Sequence, residues 1–407
     1  MVNLFNVFLR SLTLFAKFSL ILILAKFLSA NDLASYGIIY ATIIYSLYVI
    51  GLDFYIYSTR EYVNNLKQRK IIIENHFTLI LISIFLAIFF IGYFASFEDK
   101  IFNYFGYFIC LLVLEFLSQE IFRILVIQKR ALSAGLSLFF RHGLWVYILL
   151  GYFYLFPNNI DLKIVLFLWC CGGFISILFG ILRLKNINNF TFTISSSFIK
   201  KGLKIVIPFF IGTIAYRLLF LLDRFYYESF FNNDILAAYV LFSSICISML
   251  SFADSGIFSF SYPKLIENNS KNNLITFKRI YSKLGISVLL FCVGYSVAIL
   301  LFTPALLEWI GNPIYLKFKD LLELQIMISF IFVLSMVPHY ALYAYKKDNY
   351  IIFSHVTSVI IFIISIFLMH DSNNYKILQY ALIISFVWML VTKIYFSIKV
   401  QNQMLKI

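Results

Sequence analysis

Residues 29–63 read SANDLASYGIIYATIIYSLYVIGLDFYIYSTREYV, and from residue 33 to residue 57 the only charge is Asp53, with Arg60 and Glu61 just beyond. A helix that crosses hydrocarbon takes about 20 apolar residues. This stretch is therefore a membrane span with a carboxylate in its last turns, the kind of residue that needs an explanation. Runs of the same kind continue on both sides of it. The whole chain is 62% hydrophobic and only 13% charged, where soluble domains carry roughly a quarter charged residues. The chain reads as an all-α, polytopic membrane protein. Its runs are too long and continuous for the alternating strands, about ten residues each, of an outer-membrane barrel.

The spans fall at residues 4–28, 33–57, 77–97, 101–127, 132–156 and 164–184, and again at 203–227, 235–258, 284–302, 321–343, 351–369 and 377–398. Twelve helices in two sets of six are expected. The first run is read as an uncleaved span, because Lys17 interrupts it and Leu28 stands where cleavage prefers a small residue. Lys and Arg concentrate on alternate loops, among them Arg60, Lys67, Arg69 and Lys70, then Lys129 and Arg130, then Lys200, Lys201 and Lys204, then Lys346 and Lys347. Positive loops stay in the cytoplasm, so both termini are expected there. The net charge of +14 is spread over these short loops and calls for no nucleic acid.

The polar, basic stretch RLKNINNFTFTISSSFIKKGLK (183–204) separates the two sets. We expect an N-terminal lobe at 1–184, a cytoplasmic linker at 185–202 and a C-terminal lobe at 203–407. Asn31, Asp32, Leu33 and Tyr36 have an echo in Asn233, Asp234, Ile235 and Tyr239, with a slip of one residue. Asp254, in SFADSGIFSFSYPK, echoes Asp53 in position. Two six-helix halves of like orientation are related by a pseudo-two-fold axis along the membrane normal.

Charges inside the spans are the candidate functional residues, since each costs about 2.5–3.5 kcal/mol at the bilayer centre. Arg10 and Lys17 are seven apart and return to nearly one helix face; a cationic stripe and snorkelling to the interface both fit them. Glu115, Gln119 and Arg123 share a face, with Glu120 three residues before Arg123, so ion pairing and substrate binding stand side by side there. Arg141 is expected at similar depth. Arg217 and Arg224 repeat the seven-residue spacing, with Asp223 beside Arg224. Pro338 and His339 either break the tenth span or belong to its cytoplasmic end. Glu323 and Lys393 are expected at interfaces.

Other chemistry is missing. There is no nucleotide-binding Gly-x-x-x-x-Gly-Lys-Ser/Thr loop, no His-Glu-x-x-His and no Gly-x-Ser-x-Gly elbow. The five histidines are scattered and the five cysteines lie in apolar runs without metal spacing, so no metal, cofactor or catalytic residue is expected. Outward loops are short, which leaves a polysaccharide polymerase or transferase little room for its chemistry.

Residues 29–63, with EIFRILVIQKRALSAGLSLFFRHGLWVY (120–147), KKGLKIVIPFFIGTIAYRLLFLLDRFYYESFF (200–231) and SYPKLI (261–266), resemble the O-antigen and polysaccharide-unit flippases. These are the Wzx-type branch of the multidrug/oligosaccharidyl-lipid/polysaccharide exporter superfamily. The resemblance implies a two-lobed, twelve-helix transporter that moves an undecaprenyl-diphosphate-linked oligosaccharide, an O-antigen or capsule repeat unit of lipopolysaccharide or polysaccharide biosynthesis, across the membrane by alternating access. An ion gradient, H+ or Na+, would drive it, alongside a polysaccharide polymerase and a chain-length regulator. Arg10, Lys17, Arg123, Arg141, Arg217 and Arg224 would line a cationic cavity for the diphosphate. Asp53, Glu115, Asp223 and Asp254 would serve gating or ion coupling. A multidrug or small-molecule antiporter of the same superfamily is the alternative.

Overall fold

The computed structural model describes residues 2–156, 159–184, 192, 195–271, 273–369 and 374–404. Half of the expected linker (185–191 and 193–194), with His370 and Lys406, lies outside the described residues. Helices account for nearly everything else, and no strand occurs among the described residues. The chain divides into two compact units, Met1–Phe210 and Ile211–Ile407.

The N-terminal unit holds α1 (Val2–Phe27), α2 (Ala30–Gly51), α3 (Arg69–Ala95), α4 (Phe105–Ile127), α5 (Ala131–Leu155) and α6 (Leu162–Arg183). The following helix, α7 (Ser196–Phe230), contains Pro208 and carries the division between the units two residues after it. The C-terminal unit continues with α8 (Asn233–Ser270), α9 (Leu274–Ile310), α10 (Asp320–Ala344), α11 (Asp348–Leu368) and α12 (Ile377–Met404). Eleven of these twelve are long and apolar enough to span a membrane by composition alone. The twelfth, α4, has the length but carries Glu115, Glu120 and Arg123. Those charges are tolerated because the two glutamates are buried against partners inside the unit and Arg123 is half-buried against Glu120. The lipid-compatible surface is built from residues such as Phe85, Phe89, Phe90 and Phe94, all exposed along α3.

The echo across the halves marks equivalent places. Ser29 caps α2 by accepting the Asp32 backbone N–H at 3.1 Å, and Asn232 caps α8 by accepting that of Ile235 at 3.0 Å. Side-chain caps of this kind satisfy donors that a helix start leaves open. Both helices also deform at their aspartates. The span expected to be continuous over 33–57 breaks after Gly51: Leu52 and Asp53 both have positive φ, 47° and 51°, and a short helix, Phe54–Asn64, restarts in a new direction. A left-handed residue with a side chain costs about 1–2 kcal/mol, so packing must hold the break. It does so through Phe54 and Tyr57, which bury against Val206 and Phe198 of α7. In α8 the deformation is milder, a π turn over Asp254–Phe258. A second π turn, Phe140–Leu144, interrupts α5 at Arg141.

Pro338 sits inside α10 six residues before its end, so it and His339 belong to the helix's last turns and not to a break. At the other end of α10, Asp320 takes hydrogen bonds from Tyr375 at 2.8 Å and Lys376 at 2.5 Å. That bond to Asp320 holds the Lys376 ammonium above its usual range.

Helices α5 and α6 approach through glycine. A β-carbon on Gly172 would stand 2.9 Å from the Phe140 carbonyl oxygen and against the Trp145 ring. Backbone cannot swing aside as a flexible side chain does. Gly172→Ala is expected to destabilise the protein by about 1–3 kcal/mol, read as a lowered thermal midpoint in detergent; an unchanged midpoint would show that the α5–α6 contact is loose.

Candidate functional site

The charged residues within the spans resolve into separate clusters. In the N-terminal unit, Glu115 is fully buried on α4. Its Oε2 accepts Nε of Arg141 at 2.6 Å and lies 2.5 Å from Nη2, and its Oε1 accepts the Trp169 indole N–H at 2.7 Å. Arg141 also donates to Gln119 Oε1 at 3.3 Å. The π turn of α5 brings this arginine in. Such a turn inserts one extra residue into the helix, and π turns recur at functional sites. Trp145 follows, donates to the Arg141 carbonyl at 3.0 Å and stacks on Trp169 with 12° between the ring planes. Two indoles thus wall a carboxylate–guanidinium pair from solvent. Lys17 of α1 lies within electrostatic range of both charges, yet its side chain is exposed, as is that of Arg10.

Arg123 belongs elsewhere. Glu120, buried on the same helix, pairs with Arg123 and with His76 Nε2 of α3 at 3.1 Å. The Arg123 guanidinium sits 3.7 Å over the Tyr55 ring. Tyr55 reaches it because the Leu52–Asp53 break redirects the chain, and Phe54 stacks on His76 at the same joint. Asp53 itself is buried at the break. Gln119, on the same face as Arg123, accepts from Arg141.

In the C-terminal unit Asp223 and Arg224 pair at 3.0 Å. Asp223 also accepts the Tyr239 hydroxyl at 2.6 Å, and Arg224 donates to the Phe220 carbonyl at 2.9 Å. A cavity of about 40 Å³ opens beside them, lined in part by Gln325 and Ser329 of α10. The Gln325 side-chain nitrogen is buried without a hydrogen-bond partner among the described residues. The cavity has room for a water molecule, which such a group calls for. Asp254, at the π turn of α8, accepts the Tyr340 hydroxyl at 3.1 Å and lies in electrostatic range of Arg217. Arg217 in turn lies 4.8 Å from the Tyr216 ring centroid.

The fold therefore joins Glu115 with Arg141 and Asp223 with Arg224, sets Asp254 near Arg217, and keeps Arg123 apart with Glu120. Trp169 and Tyr239 escaped a reading based on charge. Tyr239 was visible only as a repeat marker, and an apolar indole gives no sign of the carboxylate it will meet. Lys393, expected at an interface, is instead completely buried. The position of α12 among its neighbours decides that, not its distance from the helix end.

No protein-family model matches the chain, and no curated protein matches it. Solved structures do. A multidrug resistance MATE family transporter of the MOP superfamily, in an inward-facing conformation, superposes with a TM-score of 0.72 at 13% identity, over 98% of this chain and 96% of that one. The fold is that of the MATE and MurJ proteins. The lipid II flippase MurJ in an inward closed conformation also gives 0.72, at 14% identity over 98% of this chain and 87% of its own. A MATE crystallised in complex with MaL6 gives 0.66 at 12% identity, over 99% and 97%.

Removing one partner of a buried ion pair costs about 3–5 kcal/mol, because the survivor keeps its desolvation penalty. Glu115→Gln and Arg141→Met should each destabilise the protein by that order, and the double variant by clearly less than their sum. A double-mutant cycle in denaturant checks this; strict additivity would mean that the pair is not coupled. Tyr239→Phe removes one hydrogen bond from the buried Asp223 and should cost about 1–3 kcal/mol, visible in the same assay; no loss would mean that Arg224 alone satisfies the carboxylate.

Proposed function

We propose that the protein is a flippase that moves an undecaprenyl-diphosphate-linked oligosaccharide from the cytoplasmic to the outer leaflet of the bacterial inner membrane by alternating access. What carries this reading is how the cations divide. Arg123, Arg141 and Arg224 each meet a carboxylate, whereas Arg10 and Lys17 stand exposed on the mostly apolar helix α1. A diphosphate taken into a low-dielectric path needs fixed cations, and α1 presents two of them a heptad apart. The resemblance of the sequence to the polysaccharide-unit flippases supports the cargo, and the fold shared with a lipid II flippase supports a lipid-linked one. On this reading Arg217 joins the cationic set. Asp53, Glu115, Asp223 and Asp254 serve gating or ion coupling with H+ or Na+. Both termini lie in the cytoplasm, and the partners are a polysaccharide polymerase and a chain-length regulator.

A multidrug or small-molecule antiporter is the second reading, favoured by an equally good superposition on a MATE transporter. A cationic drug needs accessible carboxylates, and here Glu115 and Asp223 are buried and already engaged by arginines. That weighs towards the anionic cargo. A membrane-embedded polymerase or transferase has less support still, since the similar structures are transporters and flippases.

Leaflet-resolved analysis of lipid-linked oligosaccharide in the native cell tests the proposal. Deletion should trap the intermediate on the cytoplasmic side. Lys17→Ala and Arg10→Ala, each verified as inserted, should slow translocation about tenfold or more, the equivalent of one charge-assisted contact. Wild-type export from both would rule out a cationic path on α1. Joined or trimmed glycans in a turnover assay would point to an enzyme.

A further inference from the structure

Three bases that are remote in sequence meet inside the C-terminal unit. His339 lies near the end of α10, His355 in the second turn-pair of α11 and Lys393 in the second half of α12, and α12 packs against both other helices. The imidazoles of His339 and His355 stack nearly parallel, with centroids 5.8 Å apart and planes 9° from each other. Lys393 is 0% exposed, and its Nζ has no hydrogen-bond partner among the described residues; neither has Nδ1 of His339. The Lys393 amine is within electrostatic range of both rings. His355 Nδ1 lies 3.1 Å from the Gly212 carbonyl of α7, an acceptor, so Nδ1 donates and Nε2 keeps a lone pair in the neutral ring.

Among the described residues, the surroundings offer these three bases no counter-charge. From α7 come Arg217, in range of His355, and Tyr216, whose ring lies 5.2 Å from that imidazole. From α8 comes Asp254, which faces Arg217 and accepts from Tyr340 of α10. Tyr340 meets His339 edge-on at 5.6 Å. From α9, Tyr281 lies beside Ser397, one turn beyond Lys393. On α11 and α12, Ser354 and Thr392 hydrogen-bond each other at 2.5 Å and are neutral. Arginine is charged at every working pH, so Asp254 balances Arg217 and no carboxylate among the described neighbours is left for the other three. Like charges in a desolvated site exclude one another, and such groups exchange protons as a set.

We propose that Lys393, His339 and His355 form a proton-exchange site within the C-terminal unit, a place where the transport cycle takes up and releases its coupling proton. Its use for coupling rests on the transporter reading; its proton exchange does not. The step is proton transfer alone. An N–H bond forms at Lys393 Nζ or an imidazole nitrogen by taking a proton from water, and it breaks when that proton returns to water. Intramembrane histidines and lysines are suited to such relays. Asp223 is already held by Arg224 and Tyr239, and Asp254 accepts from Tyr340.

The purified full-length protein, without substrate, is jumped from pH 8.5 to pH 6 in the presence of an indicator dye, below its unfolding temperature. Wild type should take up about one proton more than Lys393→Met and more than His339→Gln/His355→Gln. Lys393→Arg, which keeps its charge throughout, should lose the same uptake and stands in if the methionine variant does not accumulate. Equal uptake by all of them would overturn the proposal. So would a difference present in chloride and lost in gluconate, which would make the cluster an anion site. In proteoliposomes carrying lipid-linked oligosaccharide, an imposed pH gradient should speed wild-type translocation several-fold and leave Lys393→Arg unaffected. A gradient that drives both equally would remove the coupling role. No translocation by either, with the uptake difference intact, would count against the flippase reading and leave the proton site standing.

Discussion

Inside hydrocarbon no water repairs a missing hydrogen bond, so every buried polar group has to find its complement within the protein. Most of what is particular about this structure follows from that constraint acting on Glu115. A carboxylate at the middle of α4 requires donors, and the unit supplies three, two from the Arg141 guanidinium and one from the Trp169 indole. Arg141 arrives on a π turn, Trp169 stacks on Trp145, and Gly172 admits the close approach of α5 and α6. Without Glu115 none of these devices has an evident purpose.

The same constraint sorts the cations. Arg123 and Arg224 pair with carboxylates of their own helices, and Arg141 ties α5 to Glu115 of α4. Arg10 and Lys17 of α1 are exposed. Two physical kinds of arginine and lysine thus share one composition. The proposed cargo path uses the kind that the fold leaves exposed, and the proposed proton exchange uses Lys393, buried without a hydrogen-bond partner among the described residues.

The number and placement of the helices were legible because hydrophobic run length is a one-dimensional property. Which spans carry charges was legible as well, because a charge in a span stands out against its neighbours. Their partners were not. Arg141 meets Glu115 across 26 residues and Trp169 meets it across 54, and nothing local in either segment encodes the encounter. The break at Leu52–Asp53 was hidden for a different reason: leucine is a poor choice for a left-handed backbone, so the tertiary packing of Phe54 and Tyr57 overrides a local preference that points to an unbroken helix. Lys393 was misjudged because depth along a span says little about which way a side chain faces.

The π turns at Arg141 and Asp254 carry one more implication. Each is one residue more than a regular helix would hold, and an α-helix advances about 100° per residue. A span with such a turn has two rotational phases, so the stripe that its first half turns towards the unit's interior is not continued by its second. Sequence periodicity measured across the turn averages the two phases and blurs. In a protein of this architecture, a span whose apolar pattern slips by one residue beside a charged position is thus a pointer to a site.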